Sequence, residues 1–380
     1  MMRRLLLVVV CILLSVSSIS ASSVDTATTT FPDKLVGLAE SILKKLTWER
    51  DGMSLAVYPA ASYSAQQGFA FGVMPMMQFR SPRTAEPTTI TPCVLVSTKK
   101  MFEAQCEADV YLHQGVSILS KCEFYYLPDK YYGIGNADKD SVLADYDVYR
   151  YSARANVAKR LGESGFKVGV TAYLSYLKFK NVDTEPFIAD EISYASKWSN
   201  ALGATVAYDN RDDVVFPRRG WYVEAESLAF GRYVGGRHNF GYFSFDARRY
   251  LPVGKEAVFA MQLYWAVAGD KASFYNLPSC GGTRLGRAIP HSLKYIDHNA
   301  WLAQGEMRMP LFWRLGCTAF VAAGNVSKNP RTDFFDNTHL MAGGGLRFKV
   351  FPSQGLNLRL DAGVSSRGDH AIYFNIREAF

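Results

Sequence analysis

The sequence predicts an all-β fold, a 16-stranded antiparallel transmembrane β-barrel. Three observations support this prediction. The chain opens with a secretory leader, its main part alternates apolar and polar residues over short segments, and the connections between those segments differ systematically in length. No stretch after the leader is apolar enough for a membrane helix, although 48% of the residues are hydrophobic.

The first 23 residues have the three parts of a signal peptide. Arg3 and Arg4 precede an apolar run from Leu5 to Leu14, and small residues follow through Ser23. A charged start, an apolar middle and a small-residue cleavage zone are typical of a removable leader. The apolar run is shorter than the roughly 20 residues that a spanning helix needs. Residues 1–23 are therefore assigned to a signal peptide.

Residues 24–50 are predicted to form a short periplasmic segment with an amphipathic helix. Leu35, Leu38, Ile42 and Leu46 recur on one helical stripe, and Pro32 is suited to a helix start. Two placements stay open for this helix. It either packs against the periplasmic rim of the barrel or inserts into the lumen as a plug.

Residues 51–380 carry the alternation that predicts the barrel. Leu358 and Leu360 share one face of a strand, whereas Arg359 and Asp361 share the other. An even number of strands of about ten residues is what a bacterial outer-membrane barrel requires. The predicted strands begin near Ser54, Phe69, Thr88, Met101, Val116, Ala144, Phe166, Tyr194, Gly220, Phe240, Glu256, Asn299, Cys317, Met341, Leu356 and Ala371.

The connections and the charges give the barrel an orientation. With both termini in the periplasm, the connections after most even-numbered strands are short, and the longest outer loop runs from Asp270 to His298. Charged residues assigned by parity to the polar face must line the lumen. An arginine facing lipid at the bilayer midplane costs about 2–4 kcal/mol.

Composition excludes several function classes. The net charge of +7 is spread among acids along the chain, so no nucleic-acid partner is expected. The cysteines after the leader lack metal-ligand spacing, and we expect neither a metal nor another cofactor. His238, His291, His298, His339 and His370 fall in predicted outer loops without a serine motif, so we expect no catalytic residues and no enzyme activity.

The end of the sequence has an aromatic pattern of its own. Ile372, Phe374, Ile376 and Phe380 are expected on one face, with Tyr373 between them. This pattern resembles the C-terminal signal by which barrel proteins are recognised for insertion. Phe380 is also expected in an aromatic girdle at the lipid face.

Four stretches of the sequence resemble the BamA/TamA superfamily of outer-membrane barrels, also called the bacterial surface antigen family. The resemblance covers roughly residues 50 to 380. Its stretches are Tyr208-Asp-Asn-Arg-Asp-Asp with Phe216-Pro-Arg-Arg-Gly-Trp, Gly281-Gly-Thr-Arg-Leu-Gly-Arg with Gly305-Glu-Met-Arg-Met-Pro-Leu, Phe320-Val-Ala-Ala-Gly-Asn, and Gly343-Gly-Gly-Leu-Arg.

The resemblance implies that the long sixth outer loop folds into the lumen and docks an arginine on the wall. The order Leu285-Gly286-Arg287 departs from the family's Arg-Gly pair, and Ala322 stands where the family usually has an aspartate. Asp361, Glu306 or Glu226 is expected to supply the acid. The loop-six motif residues are Gly281, Gly282, Arg284, Leu285, Gly286 and Arg287. The candidate wall partners are Glu226, Glu306, Phe320, Gly324, Arg347 and Asp361.

Two functions remain open. The resemblance implies a short family member that takes part in outer-membrane protein or lipid assembly or translocation, because too few residues precede the first strand for a periplasmic POTRA domain. The alternative is a passive outer-membrane channel gated by the sixth loop. Expected partners are outer-membrane lipids and, for an assembly role, periplasmic or lipoprotein components. A weak seam between the first and last strands would favour the assembly role.

Overall fold

The structure, a computed structural model, describes residues 47–50, 52–81, 87–136, 141–214, 216–351, 356–376 and 378–380. The predicted signal peptide and the predicted helix, whose apolar stripe ends at Leu46, lie outside this part of the chain. Thr47–Arg50 forms a short strand that pairs with the start of the first barrel strand.

Sixteen antiparallel strands close into a barrel, which confirms the predicted fold and strand number. Each strand pairs with its neighbours along the chain, and the last strand returns to the first. The strands are β1 (Met53–Ser64), β2 (Gly68–Phe79), β3 (Thr88–Ser97), β4 (Phe102–Tyr111), β5 (Val116–Tyr131), β6 (Ala144–Arg160), β7 (Phe166–Asp183), β8 (Ala201–Asp209), β9 (Gly220–Phe230), β10 (Phe240–Val253), β11 (Ala257–Ala268), β12 (Asn299–Pro310), β13 (Leu315–Ser327), β14 (His339–Phe351), β15 (Leu356–Ser365) and β16 (His370–Ile376).

The alternation along each strand separates an apolar outer face from a polar interior. On β15, Leu360 is 39% exposed and Val364 is 61% exposed, whereas Arg359 and Asp361 are buried. Because successive side chains of a strand point to opposite faces, the leucine and valine lie outside the barrel and the charges lie inside. The charged face of this strand therefore lines the interior of the barrel. Among the described residues, no helix is long and apolar enough to cross a bilayer.

The start of the eighth strand differs from the prediction. Tyr194, predicted to begin that strand, lies in helix α1 (Pro186–Ala195), and β8 begins at Ala201. Pro186 occupies the first turn of α1, where its fixed φ suits a helix, and Ile192 is buried on the inner side. Lys197 has a φ of +89°, which interrupts the extended chain between α1 and β8. Propensity and tertiary burial thus override the alternation that follows Tyr194.

The connections divide the barrel into two ends. Connections after even-numbered strands lie at one end, called here the turn end; those after odd-numbered strands lie at the other, called here the loop end. Residues 269–298, called here loop six, join β11 to β12 and form the longest connection in the described chain. This arrangement determines which residues reach the lumen.

The residues after β16 depart from the prediction for Phe380. β16 ends at Ile376, so Phe380 does not continue the outer face of the strand. The Phe380 side chain is only 7% exposed and packs with Tyr250, Val258 and Ala260. Val258 and Ala260 are paired with Arg308 and Glu306 and share their inward face. Phe380 is thus inside the barrel at the turn end, where its ring is removed from water, and the girdle position predicted for it is wrong.

Candidate functional site

Loop six crosses the lumen and packs against the wall formed by β12 to β14. Ala288, Ile289 and Tyr295 of the loop form one buried cluster with Leu302 and Met341 of the wall. Ala288 and Ile289 have no exposed surface. Burial also raises the pKa of the Cys280 thiol, at the start of this stretch, to about 12, so the thiol is protonated. The loop is therefore held in the lumen by an apolar contact as well as by charge.

A tight turn in loop six presents Arg287 to the wall. Gly281 pairs with Leu285 across the turn, and the Ile289 amide donates to the Gly286 carbonyl over 2.9 Å. Gly282 and Gly286 have φ values of +89° and +107°. Side chains at such angles are strained, so the two glycines permit the turn. The motif residues thus set the direction of the arginine that follows them.

Arg287 is buried between two carboxylates. Its Nη1 lies 2.5 Å from Glu306 Oε2 on β12 and donates to Asp361 Oδ2 on β15 over 3.1 Å. All three side chains are fully removed from solvent. Buried ion pairs of this kind are stable only when the geometry is close, because both charges lose their hydration. The loop and two wall strands meet at this single guanidinium.

The ring of Phe320 on β13 lies against the same guanidinium. The Arg287 Cζ is 3.9 Å from the Phe320 ring centroid. A cation over an aromatic face is attracted by the ring quadrupole, and the attraction is larger in a desolvated site. Phe320 therefore supports the charge of Arg287 on the side that the carboxylates leave open.

Three further arginines surround the two carboxylates. Arg308 Nε lies 2.7 Å from Glu306 Oε1, and Arg347 Nη1 lies 2.6 Å from Asp361 Oδ1. Arg359 Nε lies 3.4 Å from Asp361 Oδ2. Glu306 and Asp361 thus each contact more than one cation. The cluster is a network whose members hold one another in place.

The 378–380 segment enters this network from the turn end. Glu378 Oε2 accepts from Arg347 Nε over 2.8 Å, and the Phe380 carbonyl accepts from Arg308 Nη2 over 2.8 Å. The Ala379 carbonyl accepts from Arg284 Nε of loop six over 3.2 Å. Arg347 and Arg308 of the network and Arg284 of loop six thus contact three consecutive residues.

Other bonds tie loop six to the last strands. The Tyr373 hydroxyl on β16 donates to the Ile289 carbonyl over 2.5 Å. Asp369, before β16, accepts from the Tyr295 hydroxyl over 2.9 Å and lies 2.5 Å from Lys294 Nζ. Loop six therefore contacts both the middle of the wall and the strand beside the seam.

The structure brings most of the predicted site residues together. Glu306, Phe320, Arg347 and Asp361 surround Arg287, and Gly324 lies under loop six, where a Cβ would be 2.9 Å from Cys280 Sγ. The packing of Leu285 against the buried cluster and the contact of Arg284 with Ala379 complete the motif.

Glu226 is the exception among the predicted partners. It pairs with Arg154 and accepts from Thr171 Oγ1 over 2.9 Å, so the prediction of Glu226 as an acid for loop six is wrong. The alternation correctly predicted that Glu226 faces the lumen, but β9 lies on a different part of the wall from β12 and β15. Alternation predicts which face of a strand a side chain occupies, but it does not predict how far that strand lies from loop six.

Arg308, Arg359 and Glu378 were not singled out as loop-six partners from the sequence. Arg308 and Arg359 are each two residues from a predicted carboxylate, Glu306 and Asp361, and share its face. This spacing of two was the available signal. Glu378 gave no such signal, because the chain leaves the strand before it.

The seam between the last and first strands is short. Among the described residues, β16 meets β1 in one pair, Phe374 and Tyr63. By contrast, β16 pairs with β15 from His370 to Ile376, and β1 pairs with β2 along its whole length. Phe374 lies at this contact, Tyr373 points into the lumen, and Ile376 is the last residue of the strand. Thr47–Arg50 pairs with Met53 to Ala56 on the same edge of β1, so the stretch between that pairing and Tyr63 is the part of the β1 edge that another strand could reach.

Loops at the loop end close over the lumen beside loop six. The Asn136 side chain donates to the Asn337 carbonyl over 2.8 Å and lies 2.6 Å from His339 Nε2. It also donates to the Asn325 side chain. Gly135 pairs with Ile296 of loop six. The connection after β5 is thus joined to β13, β14 and loop six.

A polar cavity remains on the opposite side of the lumen. It has a volume of about 320 Å³ and is lined by Glu103, Glu123 and Arg150 of the wall and by Tyr275 of loop six. Arg150 is paired with Glu123. Loop six thus fills one side of the lumen and borders an open space on the other.

The closed 16-stranded barrel with an inward-folded loop six defines the class of protein: an outer-membrane β-barrel. The chain belongs to the Omp85 superfamily, whose domain model matches residues 109–380.

Solved barrels agree with this fold. BamA from Haemophilus ducreyi lacking POTRA domains 1–3 is similar at 14% identity and a TM-score of 0.59, over 87% of this chain and 70% of that one. CdiB from Escherichia coli is similar at 12% identity and a TM-score of 0.58, over 87% of this chain and 63% of that one. CdiB from Acinetobacter baumannii is similar at 11% identity and a TM-score of 0.56, over 86% of this chain and 60% of that one. No curated protein matches the chain by sequence.

Proposed function

We propose that this barrel assists the assembly or translocation of proteins or lipids in the bacterial outer membrane, with its turn end in the periplasm. The observation that carries the proposal is the seam, where one residue pair joins β16 to β1. A strand edge with unpaired N–H and C=O groups is a template for another strand. The proposal assigns the chain no enzymatic reaction.

Loop six supports the proposal because it is fastened to several strands on the β16 side of the seam. Arg287 joins the loop to β12 and β15, and Tyr373 joins it to β16. Without a docked loop, a barrel that opened at the seam would lose the side chains that fill its lumen, and the wall strands would lose their arrangement. The docked loop keeps the remaining wall strands together while β16 and β1 separate.

The proposed partners follow from the geometry of the seam. A client strand adds to the free edge of β1 or β16, and outer-membrane lipids contact the exposed apolar side chains beside it. Periplasmic or lipoprotein components would reach the barrel at its turn end. The proposed processing of residues 1–23 and the periplasmic position of residues 24–50 belong to the same orientation.

A reversible cross-link tests the proposal. The Tyr63→Cys and Phe374→Cys variants, combined in a chain whose Cys106, Cys122 and Cys317 are replaced by serine, place two thiols across the seam. The protein is reconstituted in liposomes, and the folding rate of a second barrel protein is measured. We expect oxidation to reduce that rate to the lipid-only value, and reduction to restore it.

The matched control places the cross-link away from the seam. Val206 and Ala225 face each other on β8 and β9, so their cysteine variants join strands that are already paired. This cross-link should leave the rate unchanged. Equal rates with an open and a closed seam, or no acceleration over lipid alone, would contradict the assembly role.

A passive channel gated by loop six is the second candidate. The cavity of about 320 Å³ beside Tyr275 favours it, because part of the lumen is not filled. This function needs no opening of the seam. It would be supported by steady conductance in planar bilayers that the seam cross-link leaves unchanged and that rises when residues 281–298 are deleted.

A further inference from the structure

A second cavity lies at the turn end, below the arginine network. It has a volume of about 220 Å³, compared with about 30 Å³ for one water in the liquid. Its lining includes four cationic side chains, Arg218, Arg308, Arg347 and Lys349, and two acidic ones, Glu256 and Glu378. The cavity therefore has two more positive than negative side chains.

The two innermost cations have N–H groups to spare. Arg308 and Arg347 are each about nineteen-twentieths buried, at 5% and 6% side-chain exposure. Among the described residues, Arg308 Nη1 has no hydrogen-bond partner, and Arg347 Nη2 has only a 3.7 Å contact with Glu306. An unsatisfied buried donor costs free energy, and more so when it carries charge. These donors favour an anion that reaches them through the cavity.

The network does not neutralise these charges internally. Arg287, Arg308, Arg347 and Arg359 share Glu306 and Asp361, and Glu378 adds one further carboxylate. These side chains count four cations and three carboxylates, and the cavity lining adds the cations of Lys349 and Arg218 and the carboxylate of Glu256. A buried charge without a counter-charge is strongly destabilising.

We propose that this cavity is a phosphate-binding site, with Arg308 and Arg347 at its floor and Lys349 and Arg218 at its mouth. The planar arginine fork matches the oxygens of a phosphate, and lysine adds a mobile point charge. The phosphate is either a free ion or the phosphodiester of a lipid headgroup, since both carry the same group. The site does not depend on which of the two functions above is correct.

Binding is measured with the full chain, refolded in maltoside detergent in buffer without phosphate, at constant ionic strength set by chloride. Inorganic phosphate is one probe, and glycerophosphoglycerol, a deacylated lipid headgroup, is the other. Calorimetric titration gives the dissociation constant for each. We expect saturable binding of at least one probe. Tighter binding of glycerophosphoglycerol identifies a lipid headgroup, and tighter binding of inorganic phosphate identifies the free ion.

Rim variants separate a built site from a generally basic surface. The Arg218→Gln and Lys349→Gln changes together should weaken binding about tenfold, because they remove two charged donors at the mouth. Lys255→Gln is the control: it removes one positive charge from the neighbouring turn, but Lys255 does not line the cavity. None of the three positions is buried, so folding should be preserved in the double variant and in the control.

Two results would overturn the proposal. One is the lack of saturable binding by either probe to the folded wild-type chain. The other is an equal loss of binding in Lys255→Gln and in the rim variants, which would show that the charge of the turn end alone attracts the anion.

Discussion

Arg287 Nη1 lies 2.5 Å from Glu306 Oε2, and neither side chain has any exposed surface. The arginine comes from a loop and the glutamate from a barrel strand, so the pair links an irregular connection to a regular strand of the wall. Asp361 and Phe320 complete the surroundings of the guanidinium. The position of loop six thus depends on charges that water cannot screen.

Removing one member of this pair should release loop six. Glu306→Gln leaves Arg287 with Asp361 alone and should lower the free energy of unfolding by about 3–5 kcal/mol, the cost of breaking a buried pair. Urea unfolding in lipid vesicles measures the change, and trypsin cleavage after Arg287 reports on the loop. Asp246→Asn is the control, because Asp246 pairs with Arg248 in the same lumen and, in the described part of the chain, makes no hydrogen bond or ion pair with Arg287. Equal loop cleavage in the two variants would contradict the prediction.

The barrel could be predicted from the sequence because its cause is local. Alternation with a period of two is written into each strand, and Leu360 and Asp361 are on the faces that it requires. Tyr194 shows the limit of this signal: a helix with a proline in its first turn replaces the predicted strand start. The burial of this helix depends on loops that are distant from it in sequence.

The site was predictable in part. Parity identified Glu306 and Asp361 as inward carboxylates, and the loop motif pointed to Arg287. The choice between those acids and Glu226 depends on which strands loop six crosses, a long-range property that no single strand contains. Phe380 was misplaced for a similar reason, since its arginine contacts exist only after the chain turns into the lumen.

Gly343 should tolerate no side chain, because β14 passes close to both Phe320 and β15. A Cβ at Gly343 would lie 2.2 Å from the Ala362 carbonyl oxygen and 2.4 Å from Phe320 Cζ. Gly343→Ala should therefore cost about 1–3 kcal/mol of unfolding free energy, as overpacking does.

Gly241→Ala is the matched control for Gly343→Ala. Nothing lies within 4 Å of an added Cβ at Gly241, which is also on a barrel strand. Its effect should stay within about 0.5 kcal/mol. Both values come from the same urea titration, and similar values for the two variants would show that the wall yields at Phe320.

Asn136 should hold the loop end closed. Asn136→Ala removes its bonds to the Asn337 carbonyl and to His339, and we expect a loss of about 1–3 kcal/mol, because His339 is buried and loses this contact. Faster hydrogen exchange in residues 132–136 and 296–298 would report the local opening. Asn329→Ala, which removes an acceptor for the nearby Arg331 amide, is the control. Unchanged exchange in Asn136→Ala would show that the Gly135–Ile296 pair suffices.

The docking of loop six should weaken with acid, because His291 is held neutral. Burial, followed by the positive charges of Lys99, Lys130 and Lys294, lowers the pKa of His291 to about 4, although Asp369 acts in the opposite direction. In an undocked loop the pKa of a histidine is about 6.5. Between pH 6.5 and 4 the undocked state therefore binds the proton more tightly, so docking is most stable above pH 6.5 and weakens as the pH falls.

The size of this effect is limited by the partial exposure of His291, and we expect roughly 1–2 kcal/mol. The pH profile is obtained from trypsin cleavage of loop six. Samples are incubated at pH 7, 6, 5 and 4 and are then digested briefly at one common pH, beside control samples in which loop six is cross-linked. His291→Gln cannot take up the proton and should flatten the profile between pH 6.5 and 4, whereas His238→Gln, at a position outside loop six, should not. A wild-type profile without a decline over that interval would mean that His291 is not held neutral in the docked loop.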